Sequence, residues 1–191
     1  MNFYKTTRNI LLAGALGLSI FSTGAASAAQ YKIDRAHSTI EFAVSHFGYG
    51  IVKGRFNEFS GEFGFGGDAD VTKIEIDMES IDSNWAARDK HLRNDDFFNV
   101  ADFPKATFIS TGMTTAGDNI TLTGDLTIRD VTKSIDIAVT KIGEGKDRRG
   151  NEIMGFKGEF SINRSEYNVS MNLGPAVEKV TITMYFDGVK M

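Results

Sequence analysis

The sequence predicts an all-β domain, an antiparallel β-barrel of about eight strands carrying a short helical insert. Two observations predict it. Apolar and polar residues alternate with period two along most of the chain after residue 30, the mark of strands with one face buried. Glycine-rich breaks separate these runs at hairpin spacing, and glycine supplies the positive φ that tight hairpins need. Cysteine is absent. The domain must therefore hold together by core packing, and thiol catalysis and thiolate metal sites are excluded.

The chain opens on a segment of another kind. Lys5 and Arg8 precede an apolar run over 10–21, and small residues lead to Ala26-Ser27-Ala28. This predicts a signal peptide over 1–28, cut after Ala28 or Ala29. The run is shorter than the roughly 20 residues that span a bilayer. No later stretch is apolar enough to do so, and no stable membrane span is expected. The remainder, 29–191, is about 160 residues, the size of one domain.

The strands follow in order. Tyr31 and Ile33 begin the first. Ile40, Phe42, Val44 and His46 share one face of the second, opposite Thr39, Glu41, Ala43 and Ser45. Shorter candidates lie at 51–56 and 61–65, with a turn at Gly66-Gly67-Asp68. Ile74, Ile76 and Met78 alternate with Lys73, Glu75 and Asp77. The stretch 83–99 breaks the pattern. It holds Ala86, Ala87, Arg88, Lys90, Leu92 and Arg93, all helix formers, with Ser83 or Asn84 placed to cap one or two short helices. Strands resume at 107–109, 120–128, 135–139, 154–162 and 180–186, and a long glycine-rich turn is expected over 143–151. Both prolines, Pro104 and Pro175, fall outside the strong runs, as the missing amide donor requires. Alternation alone does not choose between a barrel and a sandwich. A barrel closes its edges, and eight strands enclose either packed side chains or one ligand.

Composition narrows the function. The chain has 21 Lys and Arg against 25 Asp and Glu, and without Lys5 and Arg8 the balance is 19 against 25, a net charge near −6. Such a surface repels phosphate backbones, and no nucleic acid partner is expected. His37, His46 and His91 show no H-x-H or H-E-x-x-H spacing, so no metal site is expected. There is no G-x-S-x-G elbow, and no catalytic set emerges. Arg88-Asp89-Lys90-His91-Leu92-Arg93 is the densest polar cluster. On a helix Arg88 and His91 lie three apart and Asp89 and Arg93 four apart, spacings that pair. This face is either a solvated ion-pair surface or a polar gate for an amphiphile's head group. The phenylalanines on the strand faces fit a packed core and an apolar cavity equally well.

Several motifs together are similar to a known family. They are Tyr31-Lys32-Ile33-Asp34, the run from Phe42 through His46 to Gly48-Tyr49, Arg88 to Arg93 with Asp96-Phe97-Phe98 behind it, Pro104-Lys105-Ala106-Thr107-Phe108, Thr123-Gly124-Asp125-Leu126-Thr127 and Leu173-Gly174-Pro175-Ala176. On these the chain resembles the YceI family of periplasmic barrel proteins over essentially all of 29–191. The resemblance implies a lipocalin-like barrel in the periplasm, with an elongated pocket for a polyisoprenoid or similar amphiphile such as a quinone tail. The chain departs from the family pattern at Asp130 and Ser134, where Gly and Pro are common. It departs again at Glu166-Tyr167-Asn168, where Asp-Phe-Gly is frequent.

The expected function is a periplasmic carrier of an apolar long-chain molecule, not an enzyme. It requires no cofactor, with an isoprenoid lipid or isoprenoid quinone as the bound species, and a homodimer is compatible with it. Phe42, Val44, Leu126, Ile137, Phe160 and Met184 are expected to face inward, with His46 near the rim. Leu92, Phe97, Phe98 and Phe108 are expected at the mouth, and Arg88 and His91 at a head group. The rivals are a structural or partner-binding barrel with a filled core and, behind it, a His/Asp-dependent enzyme.

Overall fold

The structure, a computed structural model, describes residues 29–65 and 71–191. The expected signal peptide and the turn at Gly66-Gly67-Asp68 lie outside the described residues. Eleven strands and one α-helix are present among them. In chain order they are β1 (Ala29–Ile33), β2 (Thr39–His46), β3 (Gly50–Phe56), β4 (Phe59–Phe65), β5 (Lys73–Asp77), β6 (Ile81–Asp82), α1 (Ala86–Leu92), β7 (Lys105–Ala116), β8 (Asn119–Ile128), β9 (Val131–Lys146), β10 (Glu152–Asn163) and β11 (Lys179–Lys190).

The pairing settles barrel against sandwich. Neighbours run β1-β4-β5-β7-β8-β9-β10-β11, and β11 pairs back onto β1, closing a ring of eight antiparallel strands. The other three strands continue staves already in the ring. Along one edge of β11, Gly188 to Lys190 pair with β1 and Val180 to Tyr185 pair with β2. In the same way β3 pairs with β2 and β4 with β1, while β6 pairs with β3 and β5 with β4. Each of these staves is interrupted once, at 34–38, 57–58 and 78–80. The interruptions lie side by side. The Arg35 guanidinium donates to the Asn57 carbonyl at 3.0 Å and pairs with the Glu58 carboxylate, and Asn57 N donates to the Ser80 carbonyl at 3.1 Å. Breaks of this kind bend a strand and add twist, so one side of the barrel bends along a single belt.

Below the belt the barrel is filled. Tyr31 stacks on Phe63 with ring centroids 5.3 Å apart, Phe63 meets Phe156 edge-on at 5.3 Å, and Phe59 lies 5.9 Å from Phe186. Offset and edge-on pairs of this kind add to the stabilisation from burial. Gly188 makes the packing possible, because a side chain there would collide with the Phe63 ring. Above the belt the staves part. β9 and β10 stay paired only as far as Ala138 and Glu159, and β6 is two residues long. The chain from α1 through residue 103 and the segment 164–178 cover this end.

One local expectation is corrected, and the local detail around it is filled in. β9 runs on through Gly143 and Gly145 to Lys146, paired with β10, so the turn is confined to 147–151. There the Asp147 carboxylate accepts from Arg149 N at 2.7 Å and Asn151 N at 2.9 Å. The 83–99 stretch, expected to hold one or two short helices, forms one of seven residues followed by tight turns. Short 3-10 turns, absent from the sequence reading, occur at Arg35–His37, Met78–Ser80, Arg164–Tyr167 and Pro175–Val177.

Candidate functional site

The upper half of the barrel encloses a cavity of about 570 Å³, within the ~300–1,000 Å³ typical of small-molecule pockets. Its wall is almost wholly apolar because the same period-two faces that fill the lower half continue upward. Phe42 and Val44 come from β2, Phe108 from β7, Leu126 from β8, Ile137 from β9, Phe160 from β10 and Met184 from β11. Phe108, Leu126, Ile137 and Met184 are buried and form the floor. Phe42, Val44 and Phe160 point inward yet keep partial exposure, because they face open space rather than other side chains.

Two covers close the top. The first is α1, which supplies Ala87, Arg88, His91 and Leu92, with Phe97 and Phe98 from the turns behind it. Seven residues are too few for a helix to stand alone, and a buried hub anchors this one. The Asp89 carboxylate accepts from Ser83 N at 2.8 Å and from the Ser83 hydroxyl, whose oxygen in turn accepts from Arg88 Nε at 2.7 Å. Arg88 Nη2 donates to the Ser83 carbonyl at 2.6 Å, and its guanidinium lies 5.6 Å from the Trp85 ring centre.

The second cover is the segment 167–177, with Tyr167, Val169, Met171, Leu173 and Val177 on the cavity. Between two 3-10 turns it is chain without a ladder partner over 169–174, pinned by Arg164. That guanidinium, buried, donates to the carbonyls of Val177 (3.1 Å), Val169 (2.7 Å) and Met171 (2.7 Å). Arg129, at the β8–β9 turn, ties the covers together. Its Nη1 donates to the carbonyls of Phe97 at 2.7 Å and Asn168 at 2.6 Å. Glu178 is held below its ordinary carboxylate value chiefly by the hydrogen bond from Ser165. Tyr167 is 1 % exposed, and its hydroxyl is buried with no hydrogen-bond partner. Burial pushes its phenol above the usual tyrosine value, and the Glu166 charge adds to this.

All the residues singled out from sequence stand on this one cavity: Phe42, Val44, His46, Arg88, His91, Leu92, Phe97, Phe98, Phe108, Leu126, Ile137, Phe160 and Met184. Two details of that reading are corrected. Phe108 belongs to the floor, not the mouth. The helical spacings do not pair: Arg88 and Asp89 both turn back to Ser83, His91 Nε2 lies 2.7 Å from the Asp96 carboxylate, and Arg93 donates to the carbonyls of Glu79 and Ile81. Ser83 therefore does not cap α1. Trp85 takes the cap position without a side-chain bond. Among the described residues no group of three or more His, Asp or Glu is placed to hold a metal.

The sequence profile of the YceI-like domain matches residues 31–187. The chain belongs to the YceI family. Protein YceI of Salmonella arizonae is 40 % identical over 185 residues, spanning 94 % of this chain and 97 % of its own. The crystal structure of BcnA from Burkholderia cenocepacia superposes with a TM-score of 0.72 at 24 % identity, covering 81 % of this chain and 98 % of BcnA. A polyisoprenoid-binding domain from Saccharophagus degradans, implicated in plant cell wall breakdown, gives 0.67 at 17 % identity, with 84 % and 98 % covered. At these identities the two structures establish a shared fold.

The departures from the YceI pattern meet in space. The Asp130 carboxylate accepts from Asn168 Nδ2 at 2.9 Å, and Glu166 accepts from Lys133 Nζ at 3.1 Å. Asn168 has φ 59°, the left-handed region where glycine is favoured and asparagine is tolerated. The second cover is what the sequence reading missed, although a signal was there: Tyr167, Val169, Met171 and Leu173 alternate with polar Asn168, Ser170 and Asn172.

Proposed function

We propose that this YceI-family barrel is a periplasmic carrier that holds a polyisoprenoid or similar long-chain amphiphile, such as an isoprenoid quinone, and performs no catalysis. The observation that carries the proposal is the cavity: about 570 Å³, walled by aliphatic and aromatic side chains and open beside α1. At the ~30 Å³ that a water-sized group occupies, it has room for on the order of 20 methylene-sized units. Burying those at about 0.8 kcal/mol each contributes on the order of 15 kcal/mol gross. Lost ligand freedom offsets much of this. Nanomolar to micromolar affinity is then reached without a single hydrogen bond, and chains of similar length should compete.

Inward residues above the belt would grip the chain, with Leu92, Phe97 and Phe98 closing over it. Arg88 and His91 at the opening would face the head group. The ligand named for the Saccharophagus degradans domain on the same fold agrees with an apolar chain here. Placement in the periplasm rests on the leader sequence and the family. The filled-core alternative has the lower half of the barrel in its favour and the cavity against it.

The test is to purify the mature protein without detergent, extract it with organic solvent and analyse the extract by mass spectrometry. A stoichiometric prenyl or long-chain species is expected, together with a rise in melting temperature when isoprenoid quinone is added to delipidated protein. An empty extract combined with no melting shift would overturn the reading in favour of a structural barrel.

A further inference from the structure

Five cavity-lining residues are also exposed: His46, Phe47, Trp85, Ala87 and His91. They mark the mouth, between the β2–β3 hairpin and the start of α1. Large apolar side chains extend outward from that rim. Tyr49 at the hairpin tip is 90 % exposed, Ile51 64 %, Trp85 63 % and Phe47 48 %. The tip is held in a costly shape. Phe47 has φ 51° and Gly48 φ 83°, and Gly48 N donates to the Ser45 hydroxyl at 2.9 Å. A bulky aromatic rarely adopts such a φ, and here the turn leaves Phe47 and Tyr49 in solvent. A protein interior would have covered them.

The two segments that form the rim are themselves basic, although the chain is acidic. The chain is formally −4. Yet residues 42–56 and 84–93 carry Lys53, Arg55, Arg88, Lys90 and Arg93 against one acid, Asp89, which is buried on Ser83. Arg55 and Arg93 lie near Asp82 and Glu79, while Lys53 and Lys90 project into solvent. The acids Asp95 and Asp96 follow α1, and Asp96 is taken up by His91.

We infer that the β2–β3 hairpin tip and Trp85 form a docking surface for an anionic phospholipid bilayer, which brings the cavity mouth against the membrane. Tyr, Trp and Phe on a protruding tip are the residues that settle at a lipid–water interface. Basic side chains around them add attraction to anionic head groups. The contact also removes the chief obstacle to loading. A long apolar chain crossing open water would lose the burial that stabilises it on both sides, whereas a mouth seated in the interface passes it from lipid to cavity wall. This extends the carrier reading, and the two are tested separately.

Trp85 is the sole tryptophan, so its fluorescence reports on the rim directly. The mature protein is floated on a density gradient with vesicles of phosphatidylcholine and phosphatidylglycerol, and with phosphatidylcholine alone. Flotation with the anionic vesicles, a blue shift of Trp85 emission and weakening by salt are expected. The variant Tyr49→Ser/Ile51→Ser should lose binding at least roughly tenfold, because neither residue lines the cavity but both would enter the interface. It should still take up the apolar dye N-phenylnaphthylamine as the parent does. Protein that stays at the bottom of the gradient overturns the inference. A Trp85 shift without flotation also overturns it, and shows lipid extracted into the cavity, which keeps the carrier reading. Equal flotation of the variant assigns the contact elsewhere and overturns the surface. A concentration-dependent dimer that the variant abolishes makes this face an interface between copies instead.

Discussion

Tyr167→Phe should stabilise this protein, against the usual direction of core substitutions. The Tyr167 side chain is 1 % exposed and lines the cavity, and its hydroxyl has no hydrogen-bond partner. An unsatisfied buried polar group costs about 1–3 kcal/mol relative to hydrated hydroxyl. The ring itself is retained in the variant, so no large cavity forms. Removing the oxygen forfeits a little packing, leaving an expected gain of about 1 kcal/mol. For a domain of 150 residues or more that is a rise of roughly 2–4 °C in melting temperature. Calorimetry on delipidated protein at neutral pH reads it. The pH dependence gives an independent check. Burial raises the folded phenol above its ordinary 10.0, so the folded side chain stays neutral while the unfolded one ionises. Below pH 10 this term is silent. As pH rises above 10 the tyrosine protein loses stability that the phenylalanine variant keeps, and the gap between them should widen. A variant less stable than the parent by 1 kcal/mol or more, with no widening at alkaline pH, would show that the hydroxyl is bonded and refute the reasoning.

Two further outcomes bear on the covers and the cavity. Arg164→Met leaves the carbonyls of Val169, Met171 and Val177 without their shared donor. It should cost about 3–5 kcal/mol, read as a lowered melting temperature with faster amide exchange across 168–178, whereas unchanged exchange there would contradict the pinning role. Val44 and Val180 face each other across the β2–β11 pair on the cavity wall. Val44→Phe/Val180→Phe should weaken retention of long-chain amphiphiles at least roughly tenfold while holding or raising the stability of the empty barrel. Undiminished retention would place the ligand elsewhere.

The strands were legible because each buries one face. Ile120, Leu122, Leu126 and Ile128 occupy every inward position of β8 except the one taken by Gly124, and the run announces itself. Where the inward side chain is small or the strand stands free of the core, the signal fades. The C-terminal reach of β9 contains Gly143 and Gly145, with exposed neighbours. In sequence it reads as a turn, and only its pairing with β10 makes it a strand. The 167–173 segment is the converse case. It alternates like a strand but lacks a ladder partner, since its polar bonds run to Arg164 and Arg129. Both arginines act through backbone carbonyls, Arg129 through ones more than 30 residues away, contacts for which no sequence pattern exists. Ser83 is a similar case. As a serine ahead of a helix it reads as a cap, and its actual role depends on Asp89 being buried beside it.

Filled core against cavity was the choice that period-two patterning could not make, and the structure shows why. The two halves of the barrel carry the same alternation and differ in what closes the space between staves. Below the belt the rings of Tyr31, Phe63 and Phe156 converge on one another, and Phe59 meets Phe186 beside them. Above it β2 and β3 offer Phe42, Val44, Val52 and Phe56, and Phe42 lies against neighbouring Phe56 at 5.8 Å rather than against a ring from across the barrel. Three staves bend at the belt, β9 separates from β10, and the top is roofed by chain that hangs from two arginines. A packed interior needs side chains that reach the axis from every stave. Here they reach it in one half only, and the roof that spans the other half is held by polar bonds at its edges. Such an arrangement keeps an apolar space open without requiring its walls to touch.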